Sequence, residues 1–357
     1  KEDRYNLRMK PLEPLVPRHL RLGVSERIRS TGEVVTPLSM TSLRNALDSL
    51  KKSGAESIAV CFLFSYLSPE HEKLASQIIK EEFPGMYTSL SHQILPQIKE
   101  FDRLSTTVIN SYVGPVFGQY LQQLKDRLTE LKHRRSIYIM QSNGGVSTFS
   151  NSARIPVATV LSGPAGGVIS SLGASKKVGI DNIITFDMGG TSCDVALIHQ
   201  GHPVVTTQGR ISQRPISLPM LDIHTVSAGG GTVARIDSVG ALQVGPDSAG
   251  ADPGPICYDR GGENATVTDA NVILGVLDPD HFLGGRLKLD KAKAESLVEE
   301  HIATPLGLKL HEAADGILRI INVKMEEAIK AVSSQRGYDI REFTLVAFGG
   351  AGPMHAG

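Results

Sequence analysis

The stretch Phe186–Ile198, FDMGGTSCDVALI, decides how the central part of this chain folds. β-forming residues lead into Asp187, two glycines and Thr191 follow, and a second apolar run comes next. This order predicts a strand, a tight turn and a second strand. Gly189 and Gly190 leave backbone N–H groups open to an anion such as a phosphate. A plain hairpin with an acidic flank is the alternative interpretation.

The position of Asp187 at the end of the first strand favours the phosphate interpretation. A carboxylate at that point could hold a hydrated Mg²⁺ while nucleotide phosphates supply other ligands. We therefore predict that Asp187 binds the metal and that Gly189, Gly190 and Thr191 bind phosphate.

A second glycine cluster follows another predicted strand, Phe343–Ala347. The bare backbone of Gly349, Gly350 and Gly352 would let a flat ligand lie against it, although glycine clusters also end strands for steric reasons. In a fold built from two ribonuclease-H-like halves, such a loop holds the adenosine part of ATP. The two glycine loops together favour an ATP site more strongly than either loop alone.

Composition limits the class of protein. The length of 357 residues predicts two or three domains. The 37 basic and 37 acidic side chains balance, which predicts no nucleic-acid partner. No apolar run approaches a membrane span, and the polar start Lys1–Lys10 predicts no signal peptide. Cys61, Cys193 and Cys257 lie far apart without metal-type spacing, which predicts a reducing, cytoplasmic location.

The order of patterns predicts an α/β fold. Ser57–Phe64 is typical of a buried parallel strand, and residues 101–131 form a helical pattern with an interruption near Gly114 and Pro115. Residues 210–262 read as loops, and loops of that length in a compact domain are often functional. Walker A, GxGxxG, HExxH and GxSxG motifs are absent, which argues against P-loop and Rossmann enzymes.

Asp222 and His224 form a second polar pair beside a glycine run. On a strand they would point to one face and could ligate a metal or handle a proton. A hydrogen-bonded structural pair is the alternative.

Five motifs resemble the hydantoinase A / 5-oxoprolinase family, which also includes ATP-dependent acetone carboxylase subunits. The motifs are FDMGGTSCDVALI, LDIHTVSAGGG, GALQVGPDSAGADPGPICY, TVTDAN and AFGGAGPMHA. The earlier stretches PLVPRHLRLGVSERI and SHQILPQIKEFDRLSTTVINSYV also match, so the resemblance covers nearly the whole chain.

The resemblance implies an actin-like ATPase fold of the acetate and sugar kinase, Hsp70 and actin type, with mixed sheets flanked by helices. ATP with Mg²⁺ or Mn²⁺ would lie between the two ribonuclease-H-like halves. Residues 187–191 match the second phosphate loop and residues 349–352 match the adenosine loop. Asp194 falls where the family has a second acidic residue, so Asp187, Asp194, Asp222 and His224 are the catalytic candidates.

The resemblance also implies a domain division and an incomplete chain. Residues 1–135 would be the remainder of the N-terminal family domain, and residues 136–357 the hydantoinase A-type domain, truncated at its C-terminus. Family members carry a first phosphate loop, DxGGT, before the region that starts here, so this fragment alone is expected to be inactive. Three residues depart from the family pattern: Cys193 for Thr, Thr232 for Ser and Asp259 for Gly.

Three functional hypotheses follow from the resemblance. The first is an ATP-dependent cyclic amidohydrolase acting on a hydantoin, 5-oxoproline or related lactam, with a hydantoinase B-type partner subunit or domain in an oligomer. The second is an ATP-dependent ketone carboxylase subunit of the acetone carboxylase type, which would use the same loops. The third is a non-catalytic actin-like nucleotide-binding domain, and the intact phosphate-loop residues argue against it.

Overall fold

The chain forms two compact units. The computed structural model describes residues 12–357, so Lys1–Lys10, predicted to contain no signal peptide, lie outside the described residues. The first unit runs through Ser162 and includes Val205–Met220, and the second comprises Gly163–Val204 and Leu221–Gly357. Among the described helices, none is long and apolar enough to cross a membrane.

Helices and strands alternate along most of the described chain. The helices are α1 (Met40–Lys52), α2 (Glu70–Glu82), α3 (Ser91–Ile94), α4 (Glu100–Glu130), α5 (Phe149–Arg154), α6 (Ser162–Val178), α7 (Val267–Ile273), α8 (Lys291–Val298), α9 (Thr304–Leu306) and α10 (Leu310–Val332). The first strands are β1 (Arg27–Ile28), β2 (Val34–Thr36), β3 (Ser57–Val60), β4 (Tyr87–Leu90), β5 (Tyr138–Met140), β6 (Val146–Thr148), β7 (Ile183–Met188), β8 (Cys193–His199) and β9 (His202–Pro203). The later strands are β10 (Val205–Thr206), β11 (Gly209–Ile211), β12 (Arg214–Ile216), β13 (Met220–Leu221), β14 (Ile223–Val226), β15 (Thr232–Ile236), β16 (Leu242–Ser248) and β17 (Thr344–Phe348).

The first unit is built around a parallel strand pair. β3 pairs with β4 in parallel, and α2 connects the two strands. Apolar side chains of α1, α2 and both strands form one buried cluster, which includes Leu43, Leu47, Ile58 and Ile79. The predicted buried strand is confirmed, but it ends at Val60 rather than at Phe64.

The predicted interruption of the long helix is wrong, because α4 runs continuously from Glu100 to Glu130. Pro115 lies inside the helix, where its missing N–H removes one helical hydrogen bond. Gly114 serves packing, since a Cβ at that position would overlap the ring of Tyr87 in β4. The glycine therefore allows close contact with the sheet and does not end the helix.

The second unit contains a mixed sheet in the order β14-β8-β7-β17, with β9 also paired to β8. β7 and β8 form the predicted antiparallel hairpin across residues 189–192. β17 pairs with β7 in parallel, so its register places Phe348 opposite Asp187. Both strand predictions in this unit are confirmed, and the glycine loops follow the carboxyl ends of neighbouring strands.

The sheet of the second unit is covered on both faces. Ile184, Phe186 and Val195 pack on one face in a large core with α7, α8 and α10. Ile183 and Ala196 pack on the other face with residues of α6. Because side chains alternate along a strand, Asp187 shares the α6 face with Ile183.

The stretch 210–262 is more ordered than predicted. β11 pairs with β12 in one antiparallel hairpin, and β15 pairs with β16 in another. β14 lies beside β8 in the main sheet. The sequence pattern did not reveal these strands, because they are short and glycines separate them.

Candidate active site

The two predicted glycine loops meet at one edge of the second unit's sheet. The parallel pairing of β7 and β17 places Gly349 directly beside Asp187, and the Ala351 N–H donates to the Met188 carbonyl at 2.9 Å. Gly349 has φ +82°, and a Cβ there would overlap the Asp187 carboxylate and the Met188 carbonyl. Glycine at this position is therefore required both by its backbone conformation and by the close approach.

A row of polar side chains, Asp187, Asp194 and Thr225, crosses the end of the sheet, and we call it the acidic row. Asp187 in β7 lies directly opposite Asp194 in β8, and Asp194 lies directly opposite Thr225 in β14. Directly opposed residues of antiparallel strands share a face, so all three side chains lie on the α6 face. The Thr225 hydroxyl donates a hydrogen bond to Asp194 Oδ1.

The row carries two neighbouring negative charges. Partial burial raises the pKa of Asp187 above its usual range, and the charge of Asp194 raises it further. Within residues 12–357, no donor bonds the Asp187 carboxylate. Like charges placed directly opposite destabilise a sheet, and a divalent cation would remove that repulsion. The donor set therefore fits Mg²⁺, which commonly takes one or two protein carboxylates together with phosphate oxygens.

The start of α6 passes close to this row. A Cβ at Gly167 would lie 2.7 Å from the Phe348 ring and 3.7 Å from Asp187 Oδ2. The first turns of α6 carry few large side chains, because three of their residues are glycines: Gly163, Gly166 and Gly167. A 17-residue helix presents N–H groups at its start that attract anions, so it adds positive potential beside two carboxylates.

The turn between β7 and β8 presents backbone donors. The Gly189 N–H bonds to the Ser192 carbonyl at 3.0 Å and closes the turn, while Gly190 and Thr191 are exposed. Among the described residues, none accepts a hydrogen bond from the N–H of Gly190 or Thr191. These two groups are free to bind an anion.

The two other glycines of the predicted adenosine loop differ from each other. A Cβ at Gly350 would meet nothing within 4 Å, so this residue borders open space. A Cβ at Gly352 would lie 3.3 Å from the Phe186 carbonyl, so this residue is packed against β7. Only Gly350 has room for a side chain, while Gly349 and Gly352 fix the path of the loop.

Asp222 and His224 do not join the acidic row. Asp222 forms an ion pair with Arg336, and His224 lies opposite Val195, on the sheet face away from Asp194. The predicted shared face fails because Asp222 precedes β14 rather than lying in it. Within the described chain, no cluster of three or more His, Cys, Asp or Glu side chains could hold a metal. Their catalytic role stays a prediction.

Two contacts in the site depend on tertiary pairing that the sequence reasoning did not predict. Thr225 reaches Asp194 only through the pairing of β14 with β8, and Gly167 reaches Asp187 only through the packing of α6 on the sheet. The glycine run Gly229–Gly231 was noticed, but its contact with the β7–β8 turn was not predicted. A search for small residues in the stretches that flank the hairpin could have found both glycine contacts.

The three departures from the family pattern have local explanations. Cys193 is buried in the core below the sheet, and burial raises the pKa of its thiol to about 12, so it packs as a neutral side chain. Thr232 accepts a hydrogen bond from the Gly229 N–H at 2.7 Å, as a serine hydroxyl could. Asp259 adopts φ +51°, the left-handed region that glycine favours, and pairs with Lys293 at 2.6 Å.

Two family models match the chain. The model described as "Hydantoinase/oxoprolinase" matches residues 103–357, and the one described as "Hydantoinase/oxoprolinase N-terminal region" matches residues 1–83. The compact units divide at residue 162, inside the longer match. The predicted domain boundary at residue 135 therefore stays a prediction.

Two individual relatives match nearly the whole chain. Caprolactamase subunit alpha from Pseudomonas jessenii is 39% identical over 357 residues, covering 99% of this chain and 51% of the relative. Acetophenone carboxylase gamma subunit from Aromatoleum aromaticum is 40% identical over 354 residues, covering 97% of this chain and 48% of the relative. The chain thus spans about half the length of these relatives.

A solved structure supports the fold assignment. The crystal structure of the ATP-dependent caprolactamase from Pseudomonas jessenii has a TM-score of 0.82 at 38% sequence identity, covering 100% of this chain and 52% of that chain. The α/β class with an actin-like ATPase fold and a mixed sheet flanked by helices is confirmed. Taken with the family models, these matches establish that this chain belongs to the hydantoinase/oxoprolinase family.

Proposed function

We propose that this chain is part of an ATP-dependent enzyme that opens a cyclic amide, such as a hydantoin, 5-oxoproline or a larger lactam. The observation that carries the proposal is the opposed pair Asp187 and Asp194 at the sheet edge between two glycine loops. Two unneutralised carboxylates beside free backbone amides fit a metal-bound polyphosphate. The caprolactamase relative is itself described as ATP-dependent.

The proposed reaction begins with activation of the ring amide. The amide carbonyl oxygen attacks the γ-phosphorus of ATP, and ADP leaves. Water then adds to the activated carbon, and the C–N bond of the ring breaks with a proton transferred to nitrogen, which leaves an acyl phosphate. A second water hydrolyses this acyl phosphate to the carboxylate and free phosphate. Catalysis of phosphoryl transfer rests mainly on positioning and charge stabilisation, which backbone amides and cations supply.

Each candidate residue has a role in this scheme. Asp187 would hold Mg²⁺ or Mn²⁺, and Asp194 would add negative charge beside it. Gly189, Gly190 and Thr191 would bind phosphate oxygens through the backbone. The adenosine part of ATP would lie on residues 349–352. A bound divalent cation would supply charge neutralisation for the phosphates.

A partner subunit would complete the ring opening. The caprolactamase and acetophenone carboxylase relatives are each named as subunits. We therefore expect activity only in the intact protein with its co-purifying partner, which we propose to be a hydantoinase B-type subunit or domain.

A ketone carboxylase is the second candidate. The acetophenone carboxylase subunit is as similar to this chain as the caprolactamase subunit is, at 40% against 39% identity. ATP would then activate a ketone as its enol phosphate and bicarbonate as carboxyphosphate. The same glycine loops and acidic row would serve both reactions, so only the substrate separates them.

Phosphate release from ATP tests the proposal. The intact protein with its partner would be assayed with 5-oxoproline, hydantoins, larger lactams, and ketones with bicarbonate. Stimulation of phosphate release by a cyclic amide supports the proposal. Stimulation only by a ketone with bicarbonate would instead support the ketone carboxylase candidate. Failure of every compound to stimulate, together with absence of ATP binding, would overturn both candidates.

A further inference from the structure

The N–H groups of Gly190 and Thr191 are aimed by a second, buried glycine segment, Gly229–Gly231. The Gly230 N–H donates to the Gly189 carbonyl at 3.0 Å, and the Gly231 N–H donates to the Gly190 carbonyl at 2.7 Å. The carbonyls of the turn therefore point inward at this segment.

Peptide geometry then fixes where the turn's N–H groups point. In a trans peptide the C=O of one residue and the N–H of the next lie in one plane and point in opposite directions. The N–H of Gly190 is opposed to the Gly189 carbonyl, and the N–H of Thr191 to the Gly190 carbonyl. Since those carbonyls face the buried segment, both N–H groups face the exposed side of the turn.

The contact is too close for side chains. A Cβ at Gly229 would lie 2.5 Å from the carbonyl carbon of Gly190 and from the Thr191 nitrogen. A Cβ at Gly231 would lie 3.0 Å from the Gly190 carbonyl oxygen. The glycine run is therefore explained by backbone-to-backbone packing against the turn.

Helix α7 fixes the Gly229–Gly231 segment through hydrogen bonds from Thr268. The backbone N–H and the hydroxyl of Thr268 both donate to the Gly230 carbonyl, at 2.7 and 2.8 Å. The Thr232 hydroxyl accepts from the Gly229 N–H at 2.7 Å. Both threonines are buried, at 7% and 1% exposed. The segment is thus fixed on one side by side chains and on the other by the turn.

We infer that Gly229–Gly231 and Thr268 are positioning residues that set the aim of the two phosphate-binding amides. This inference rests on the proposed function for the phosphate, but the orientation of the peptides follows from the hydrogen bonds alone. Thr268 does not reach the exposed side of the turn, so it acts only through Gly230. Loss of the Thr268 hydroxyl should therefore weaken nucleotide binding more than it slows the chemical steps.

Thr268→Val in the intact protein with its partner gives the cleanest test. The change removes the hydroxyl and keeps the backbone N–H donor, so the fold should persist. We expect the Kd of ADP, measured by calorimetry with Mg²⁺, and the KM for ATP to rise about three- to tenfold, the range of one neutral hydrogen bond. The value of kcat should change less, and Thr268→Ser should restore both constants to within about twofold.

Gly230→Ala sharpens the test, because its Cβ would lie 2.8 Å from Thr268 Oγ1 and otherwise only near the Gly189 carbonyl oxygen, at 4.0 Å. Combining it with Thr268→Ala removes that overlap, so the double variant should bind ADP better than the product of the two single effects predicts. Gly173→Ala in α6, where a Cβ meets nothing within 4 Å, is the matched control and should leave ADP binding unchanged.

Separate results would overturn the inference and the proposed function. A folded Thr268→Val protein with unchanged Kd for ADP and unchanged KM for ATP would show that the segment is only structural, and would overturn the inference. A wild-type protein that binds no ADP or ATP at all would instead overturn the proposed function. A rise in Kd that Thr268→Ser fails to restore would also contradict a role for the hydroxyl.

Discussion

Two carboxylates, one in each compact unit, differ in how fully the protein satisfies their hydrogen-bonding capacity. Glu72 in α2 is fully buried and accepts four hydrogen bonds, from the Phe62 N–H, the Ser91 hydroxyl, and the backbone and side chain of His92. Asp187 is half-buried, receives none from the described chain, and faces a second carboxylate, Asp194.

The contrast separates a carboxylate whose hydrogen bonds are satisfied within the fold from one that the described chain leaves unsatisfied. Arg103, also fully buried, extends the network by donating to Ser91 Oγ at 3.2 Å and to the Phe62 carbonyl at 2.9 Å. Every acceptor position of Glu72 is thereby used within the fold. Asp187 has acceptor positions left over and a repulsive neighbour, and the proposed metal ion would supply the favourable partner that the described chain does not.

The largest expected effect is on activity at Asp187. Asp187→Ala in the intact protein should reduce substrate-dependent phosphate release at least about 100-fold, the scale of losing one preorganised electrostatic group. Asp48→Ala, which removes an exposed carboxylate from α1, should leave the rate unchanged. Retained activity in Asp187→Ala would mean that the acidic row does not act in catalysis.

The second prediction concerns stability at Glu72. Glu72→Gln replaces two acceptor oxygens by one oxygen and a donor that faces the His92 N–H, so the free energy of unfolding should fall by about 1–3 kcal/mol. Urea unfolding would measure the change, with exposed Glu56→Gln as the control. The activity of the folded fraction should stay the same. A loss of kcat without a loss of stability would contradict a purely structural role for Glu72.

The third prediction concerns pH and metal at Asp187. Its raised pKa means that the folded state binds a proton more readily than the unfolded chain does. Stability is therefore lost as pH rises through the window that starts at the ordinary Asp pKa, about 3.9, and ends at the higher folded pKa. Without metal, Asp187→Asn should be more stable than the wild type above that window, by up to about 1 kcal/mol.

Thermal unfolding with EDTA and with Mg²⁺ checks the third prediction. The difference between Asp187→Asn and wild type should vanish below about pH 3, where the wild-type carboxyl is mostly protonated in both states. Added Mg²⁺ should raise the Tm of the wild type and have little effect on the variant. A variant that is less stable than wild type in EDTA at neutral pH would contradict the repulsion between Asp187 and Asp194.

The smallest effect is expected at Asp259, an exposed carboxylate whose backbone matters more than its charge. Asp259→Ala keeps a Cβ in the left-handed region but loses the short polar side chain that makes this conformation accessible to Asp, so it should cost roughly 0.5 kcal/mol. Asp259→Gly should recover most of that loss, since glycine adopts φ > 0 freely. Equal stability of the Ala and Gly variants, measured by urea unfolding, would contradict this explanation.

Local patterns predicted the elements of the site well. The β7–β8 hairpin follows from β-forming runs on each side of two glycines, and β17 follows from its own apolar run. Local pattern failed at Pro115, because the helix continues through it and the neighbouring Gly114 packs against Tyr87 instead of ending the helix. A glycine next to a proline has the same local signature in a helix break and in a tight helix-to-sheet contact.

The partners of the site depend on strand register, which the sequence does not display. Thr225 meets Asp194 because β14 pairs with β8 in one particular register, and a shift by one residue would present His224 instead. The pairing of Asp222 with Arg336 likewise joins residues more than 100 positions apart. Asp187 and Asp194 could therefore be predicted as site residues, whereas the contact of Thr225 with Asp194 and the separation of Asp222 and His224 from them could not.

The parallel pairing of β7 with β17 has a consequence for synthesis of the chain on the ribosome. The hairpin residues 183–199 emerge early, but the strand that completes the sheet edge, residues 344–348, follows about 150 residues later. At about 5–20 residues per second, that interval lasts roughly 8–30 s. During this time Asp187 and the turn are made but Gly349 is absent, so a nascent chain should gain affinity for nucleotide only when translation has passed the second glycine loop.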